Sequence, residues 1–339
     1  MNKNIFPWLE GAWRELSQRR PTLPHALLIH GRPGLGKTVL ARTFGQALLC
    51  ETPDPDGFPC GSCRACRWFE QGNHPDFRQV EPEALAANAT GEGEGSAKGT
   101  SAPSRQIKVD QIRDLQEFLS IGTHRGGARV ILVRPAEAMN AATANALLKS
   151  LEEPPPGTVF LLVSSAPDRL LPTVRSRCQR IAVVAAAAGD ALPWLKAQGL
   201  KDPEAALRHA GNAPLSALEE DGESVRTREA LTACLLRRDA TALDLTDACQ
   251  GAAPEAVVGW LQKWVYDLVA ARAGAAIRYN LRQESALRAI AGALPGPALL
   301  RFERSLSTAR AIALHPLNPR LFLEEIFLRY AQLRESPHE

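Results

Sequence analysis

Three short apolar segments alternate with segments of helical periodicity in the first half of the chain. They are ALLIH at 26–30, RVILV at 129–133 and TVFLLVSS at 158–165. The first is followed by TVLARTFGQALL and the second by NAATANALLKSLEE, in which apolar residues recur every three or four positions. Buried strands that alternate with helices are typical of a parallel sheet covered on both faces. The pattern therefore predicts an α/β domain built on a parallel sheet.

The second half of the chain has a different pattern. From about residue 185 the strand signals fade, and short helical segments are interrupted by glycine and proline. Beyond about residue 223 every periodic segment is helical, with Pro254 suited to a first helical turn and Asn318 suited to an N-cap. We therefore predict an α/β domain, a small helical domain and an all-helical domain, over residues 1–183, 184–222 and 223–339.

The segment from 83 to 106 is rich in Gly, Ala, Ser and Glu and has no apolar periodicity. Such a composition buries too little surface to order itself, so we predict a flexible surface insertion. The helical pattern resumes in VDQIRDLQEFLS, where Asp110 is the predicted N-cap and Ile112, Leu115 and Leu119 form one apolar stripe.

Composition and charge place the chain among ordinary globular proteins. Of its 339 residues 45% are hydrophobic and 23% charged, and the net charge of +3 permits contact with nucleic acid without predicting it. Pro7 and Glu10 interrupt the region where a secretion signal would be apolar, and no segment approaches about 18 consecutive apolar residues. We expect a cytoplasmic protein without a membrane-spanning segment.

Four of the seven cysteines, Cys50, Cys60, Cys63 and Cys66, lie close together in the sequence. An odd total fits poorly with a disulfide framework, whereas four thiolates can surround one tetrahedral Zn²⁺ with no open position. His74 is a rival candidate ligand. A redox role for the CxxC pairs is disfavoured because a redox pair needs no third and fourth cysteine. The spacing therefore predicts a structural zinc site.

The sequence GRPGLGKT at 31–38 satisfies G-x-x-x-x-G-K-[ST] and lies between a predicted strand and a predicted helix. In such a P-loop, glycines let backbone N–H groups turn towards phosphates, Lys37 reaches the outer phosphates and Thr38 ligates magnesium. The predicted nucleotide-binding residues are Gly31, Arg32, Pro33, Gly34, Leu35, Gly36, Lys37 and Thr38. The alternative is a glycine loop of the same shape that binds nothing.

A P-loop ATPase usually also needs an acidic residue at the end of a neighbouring strand, to hold magnesium and orient water. Here RVILV leads into Arg134 and Pro135, neither of which binds a cation or accepts a proton. Glu137, three residues after Arg134, is a candidate substitute, but it is expected on the following turn, as a solvated surface residue. The prediction is a site that can hold ATP with Mg²⁺ but hydrolyses it poorly or not at all.

The tripeptide Ser176-Arg177-Cys178 follows the third predicted strand. Arginine stabilises the charge of a transferring phosphoryl group, and in ring-shaped ATPases it often comes from a neighbouring subunit. The alternative is a basic surface cluster of Arg175, Arg177 and Arg180. Residue chemistry alone favours the surface cluster.

Several segments resemble the bacterial clamp-loader family, an AAA+ group that places the sliding clamp on DNA: PWLEGAW, LPHALLIHGRPGLGKT, the four cysteines, HPDF, IKVDQIRDL, NALLKSLEEPPPGTVFLLVSS and LLPTVRSRC. The resemblance spans nearly the whole chain and is weakest in the 83–106 insertion and the last helical domain. It implies a RecA-like AAA+ domain with a zinc module, a small helical lid, and a helical collar that packs in a five-subunit ring.

The gamma/tau motor of that family carries an Asp-Glu pair where this chain has Arg134 and Pro135. The family also commonly has an arginine in the helix after a glycine-rich turn, where GNAPLSALEE offers none, and tau has a long tail that is lacking here. The resemblance thus implies a non-hydrolysing component of the DNA polymerase III holoenzyme. Its implied partners are the gamma/tau and delta subunits and, through the complex, the sliding clamp and primed DNA. It also implies that Arg177 is an arginine finger for an adjacent motor subunit.

Two alternatives stay open. One is an active clamp-loader-type AAA+ ATPase with unusual magnesium ligation, which steady turnover by the isolated chain would support. The other is a zinc-bearing nucleic-acid-binding module with a vestigial P-loop, which tight, salt-sensitive DNA binding would support.

Overall fold

The computed structural model describes residues 5–90, 103–123, 127–313 and 318–335. The chain divides into two compact units, Met1–Ala191 and Leu192–Glu339. The finer division of the second half into a lid and a collar stays a prediction.

A five-stranded parallel sheet forms the centre of the first unit. Its strands in chain order are β1 Ala26–His30, β2 Phe77–Val80, β3 Arg129–Val133, β4 Thr158–Ser164 and β5 Gln179–Ala182. They lie in the order β2-β3-β4-β1-β5. The three strands predicted from apolar segments are confirmed as β1, β3 and β4, the inner strands. Their residues are buried almost throughout because helices cover both faces of a parallel sheet.

The sequence pattern does not predict the two edge strands. β2 exposes Arg78, and three of the four residues of β5 are exposed, so neither has a continuous apolar run. Each strand is held by its ladder to one inner neighbour, with Phe77 opposite Val130 and Gln179 opposite Leu27. Their presence is therefore decided by pairing rather than by their own hydrophobicity.

Helices flank this sheet. Their bounds are α1 Glu10–Gln18, α2 Lys37–Leu49, α3 Arg64–Glu70, α4 Glu83–Thr90, α5 Val109–Ser120, α6 Ala141–Glu152 and α7 Pro172–Arg177. The apolar stripe predicted on α5 is buried, as expected. The predicted N-cap is wrong: α5 already begins at Val109, so Asp110 lies in the first turn and pairs with Arg113. The Gln111 side chain accepts a hydrogen bond from the Lys108 N–H instead.

Part of the segment predicted as a flexible insertion is helical, because α4 covers residues 83–90. The Ala84 N–H donates to the Ser104 carbonyl at 3.1 Å, and Lys108 Nζ lies 2.5 Å from Glu83 Oε1. These contacts tie the start of α4 to the chain that follows the insertion, which local composition does not reveal. Residues 91–102 lie outside the described residues, and there the flexible insertion stays a prediction.

The rest of the described chain is helical, as predicted. The helices are α8 Ala188–Ala197, α9 Pro203–His209, α10 Pro214–Glu219, α11 Gly222–Leu236, α12 Ala242–Asp247, α13 Pro254–Arg272, α14 Glu284–Gly292, α15 Gly296–Ile312 and α16 Pro319–Glu335. Pro254 opens α13, and Asn318 Oδ1 accepts the Arg320 N–H at 3.1 Å before α16, so both predicted helix starts are confirmed. In the core of the second unit, the indole N–H of the buried Trp264 donates to the Tyr330 hydroxyl at 3.0 Å.

None of the described helices combines the length and the hydropathy needed to cross a membrane.

Candidate functional site

The predicted P-loop lies between β1 and α2, at the carboxyl end of the sheet. Gly34 and Gly36 have φ values of 72° and 82°, in the left-handed region that only glycine adopts without strain. Gly36 is also the N-cap of α2, and a Cβ added there would lie 2.6 Å from the Phe6 ring. The loop therefore keeps the glycine-dependent shape of a phosphate-binding loop.

The N-terminal segment packs against this loop. The indole N–H of Trp8 donates to the Leu35 carbonyl at 3.0 Å, and the Phe6 ring stacks on Trp8 with 4.9 Å between ring centroids. The sequence pattern predicts no role in the loop for Phe6 or Trp8. Their proximity to aliphatic and glycine positions of the loop is a tertiary contact that no local pattern signals.

Lys37 is buried inside the loop, and its Nζ donates to the Arg32 carbonyl at 2.5 Å. Burial lowers the pKa of Lys37 to about 8, and the Glu137 carboxylate acts in the opposite direction. An ammonium group that lacks bulk solvent, and whose hydrogen-bond partner among the described residues is a carbonyl, is suited to exchange that partner for phosphate oxygens.

The end of β3 carries a cation where a hydrolysing P-loop protein would carry an acid. Arg134 Nη2 lies 2.6 Å from Glu81 Oε2, and both side chains are largely shielded from solvent. The Glu81 carboxylate is thus engaged by Arg134. The arrangement supplies no free acidic group at this position for Mg²⁺ or for a water nucleophile.

The expectation that Glu137 is a solvated surface residue is wrong. Glu137 is only partly exposed. Its Oε1 accepts the Ser165 N–H at 2.9 Å, and its Oε2 is buried without a hydrogen-bond partner among the described residues. The short 3₁₀ turn Ala136–Ala138 directs the Glu137 side chain back over the carboxyl end of the sheet, where its charge acts on Lys37. A turn after β3 does not by itself mean a surface position.

Arg177 is the last residue of α7, and its guanidinium group contacts Glu152 and Thr173. Its Nη2 lies 2.5 Å from Glu152 Oε1, and its Nη1 donates to the Thr173 carbonyl at 3.0 Å. Arg175 pairs instead with Asp168 at 2.8 Å. These two arginines therefore have separate acidic partners.

The sheet topology separates Arg177 from the P-loop of its own chain. β5 runs parallel to β1, and Gln179 lies opposite Leu27, four residues before Gly31. At about 3.3 Å per residue this corresponds to about 13 Å along the strand, and Arg177 precedes Gln179 on the far side. Arg177 thus lies towards the amino end of the sheet and the phosphate loop at the carboxyl end. Cys178 is buried, which raises the pKa of its thiol to about 11 and leaves it neutral.

The four predicted zinc ligands form one cluster, in which all sulfur atoms lie within 4.8 Å of one another. The Sγ atoms of Cys50 and Cys63 are 3.9 Å apart, and those of Cys60 and Cys66 are 4.0 Å apart. Sulfurs that surround a tetrahedral Zn²⁺ at about 2.3 Å are about 3.8 Å from one another, whereas a disulfide requires about 2.05 Å. The cluster could therefore hold a metal ion and contains no disulfide.

Backbone N–H groups point at three of these sulfurs. The Cys60 N–H points at Cys50 Sγ, the Cys63 N–H at Cys60 Sγ and the Cys66 N–H at Cys63 Sγ. The N–S distances are 3.3 to 3.4 Å. Hydrogen bonds from the Thr52 side chain and from backbone N–H groups lower the pKa of Cys60 to about 5, whereas burial raises the pKa of Cys66. A bound cation would favour the thiolate form throughout the cluster.

His74 is not part of this cluster. Its Nδ1 accepts the Asp76 N–H at 3.1 Å, and its ring packs edge-on against Trp68. The rival ligand considered in the sequence is thus a buried residue of the turn before β2.

Comparison with known proteins gives consistent matches. The family model described as "DNA polymerase III, delta subunit" matches residues 12–186. DNA polymerase III subunit delta′ of Pseudomonas aeruginosa is 36% identical over 274 residues, which cover 78% of this chain and 77% of the relative. The protein of the same name from Yersinia pestis is 32% identical over 349 residues, 96% of this chain and 95% of the relative. DNA polymerase III subunit tau of Escherichia coli is 36% identical over 154 residues, 45% of this chain and 20% of that protein.

Proposed function

The chain belongs to the family of DNA polymerase III delta′ subunits and is a clamp-loader subunit, and we propose that it is a non-hydrolysing one that supplies an arginine finger in trans. In this role it helps to load the sliding clamp on primed DNA in the bacterial cytoplasm. Its proposed direct partners are the gamma/tau and delta subunits. It is a component of the polymerase holoenzyme rather than an enzyme by itself.

The observation that carries this proposal is the position of Arg177. The residue lies towards the amino end of the sheet, about 13 Å or more from the chain's own phosphate loop. Its guanidinium group is partly exposed, with 35% of the side chain accessible. A partly exposed arginine at the amino end of the sheet, opposite the P-loop, is suited to a nucleotide bound by another subunit, where it would stabilise charge that develops on the transferring phosphoryl group.

The test is single-turnover ATP hydrolysis by a loader reconstituted with Arg177→Ala in the presence of primed DNA. We expect hydrolysis at the adjoining motor site to slow by at least about tenfold, since arginine fingers contribute about 10³ or more to the chemical step. Arg175→Ala is the matched control, because it removes a neighbouring arginine that is engaged by Asp168. Unchanged hydrolysis with Arg177→Ala would contradict the finger assignment.

The second part of the proposal concerns the chain's own P-loop. We propose that residues 31–38 hold the phosphates of a nucleotide, with Lys37 on the outer phosphates and Thr38 on Mg²⁺. Support comes from the left-handed glycines and the buried ammonium group of Lys37. Where a hydrolysing P-loop protein carries an acid after this strand, the chain carries Arg134 in an ion pair with Glu81, so we expect bound ATP to remain intact.

Nucleotide binding and steady-state hydrolysis by the isolated chain test this part, with Lys37→Ala as control. We expect binding of ATP that Lys37→Ala abolishes, without turnover. Turnover that depends on Lys37 would instead make the chain an active motor, with Glu137 as the candidate carboxylate. Tight DNA binding by the isolated chain that weakens steeply with salt would favour the nucleic-acid-binding alternative.

The third part concerns the cysteine cluster, which we propose holds a structural Zn²⁺. Four sulfur ligands in near-tetrahedral spacing leave no position for water or substrate, so the ion would serve structure rather than catalysis. Cys50 follows the last residue of α2, the helix that begins at the P-loop, and Cys63 caps α3. Zinc would thereby tie the far end of the P-loop helix to α3.

A further inference from the structure

Glu152 and Arg177 end two helices that pack against each other, α6 and α7. Arg177 Nη2 lies 2.5 Å from Glu152 Oε1, while Nη1 donates to the Thr173 carbonyl one turn earlier in α7. Because the two contacts come from different helices and involve different nitrogens, they define the orientation of the guanidinium plane as well as its position.

The position of Glu152 is not explained by its own helix. A carboxylate in the last turn of a helix faces the negative end of the helix dipole, whereas an arginine in a last turn is favoured. Glu153 follows immediately, outside the helical conformation with ψ 68°, and no ion pair involving it is found in the described part of the chain. Of these two adjacent glutamates, only Glu152 contacts Arg177.

The contact leaves Arg177 able to bind a further anion. A guanidinium group has five N–H donors, and the contacts with Glu152 and Thr173 use two of them. The side chains of Arg177 and Glu152 are 35% and 48% exposed, so an incoming phosphoryl group can reach the arginine from solvent. An exposed ion pair of this kind contributes little to folding stability, which fits a positioning role better than a structural one.

We propose that Glu152 is a positioning residue for the arginine finger: it holds the Arg177 guanidinium in the orientation that meets the nucleotide of the neighbouring subunit. This inference rests on the proposed function of Arg177. An arginine held in this way has already lost much of its rotamer freedom before the subunits meet, so less is lost when the transition state forms.

The test uses the reconstituted loader with primed DNA and single-turnover ATP hydrolysis. We expect Glu152→Ala to lower the rate at saturating ATP about fivefold, equivalent to about 1 kcal/mol, with the ATP concentration for half-maximal rate unchanged within about twofold. Glu152→Gln should restore most of the rate, because its amide oxygen still accepts from Arg177. Glu153→Ala is the matched control and should leave the rate unchanged.

A double-mutant cycle with Arg177→Ala separates the two proposals. We expect Glu152→Ala to have no further effect once Arg177 is alanine. If Arg177→Ala slows hydrolysis and Glu152→Ala does not, the positioning role is overturned and the finger stands. If Arg177→Ala has no effect, the finger itself fails. Faster hydrolysis with Glu152→Ala or Glu152→Gln, or an equal loss in the Arg177→Ala background, would also overturn the positioning role.

Discussion

Asp267 provides a sharp test of the second unit, because this carboxylate is fully buried in α13 and organises a loop through hydrogen bonds alone. Its two oxygens accept from the backbone N–H groups of Arg278, Tyr279 and Asn280 and from the Asn280 side-chain amide, at 2.8 to 3.2 Å. Asp267→Asn keeps the shape of the side chain but replaces one accepting oxygen by an N–H donor. At least one backbone N–H then faces another donor.

The expected magnitude follows from these contacts. A donor left without a partner costs about 1–3 kcal/mol, so we expect Asp267→Asn to lower the free energy of unfolding by about 2 kcal/mol. Asp267→Ala removes the acceptors of all four donors. We expect about 4 kcal/mol there, less than the sum of four full penalties because Arg278 and Tyr279 are near solvent and because the buried carboxylate carries its own desolvation cost.

Urea unfolding followed by circular dichroism gives the free energy, and amide hydrogen exchange at residues 278–280 reports the loop itself. Exchange should be slow in the parent chain and fast in Asp267→Asn. Asp239→Asn is the matched control, because its carboxylate is 77% exposed in an ion pair with Arg237, and we expect a change within about 0.5 kcal/mol. An Asp267→Asn chain as stable as that control, with slow exchange at 278–280, would refute the reasoning.

Two further predictions concern the cysteine cluster and a buried histidine. The purified chain should contain one Zn²⁺ by elemental analysis. Cys60→Ser should lose this ion, and the control variant Cys234→Ser, outside the cluster, should retain it. Equal metal content in the two variants would contradict the site. Burial, aided by the charges of Lys263 and Arg228, lowers the pKa of His209 to about 2. The unfolded state therefore takes up a proton below about pH 6.5 while the folded state does not, so stability falls with decreasing pH, by about 2 kcal/mol at pH 5. His209→Gln should remove that part of the dependence in urea unfolding at pH 5 and 7, and an unchanged dependence would show that His209 titrates normally.

Local patterns were sufficient where the physical signal is local. A continuous apolar run is the expected form of a strand buried on both faces, and this identified β1, β3 and β4. The P-loop and the four cysteines were identified because their chemistry depends on glycines or thiols at short, regular spacing. The structure brings the four cysteines together in one cluster.

Local patterns are insufficient where partners distant in the sequence decide the structure. The edge strands β2 and β5 are too short and polar to be identified without the inner strands to which they bond. α4 was missed because its start is tied to residues beyond the insertion, and Glu137 was misplaced because the turn after β3 folds back over the sheet edge.

The sequence by itself thus determined the parallel α/β class, the helical second half, the phosphate-loop motif and the four-cysteine motif, all of which depend on residue type and short-range spacing. Only the tertiary structure decided that Arg134 is paired with Glu81, that Glu137 acts on Lys37, and that Arg177 meets Glu152 away from its own P-loop. The physical reason is that charge compensation depends on distances in space. Strand order and helix packing set those distances, and no short stretch of sequence contains them.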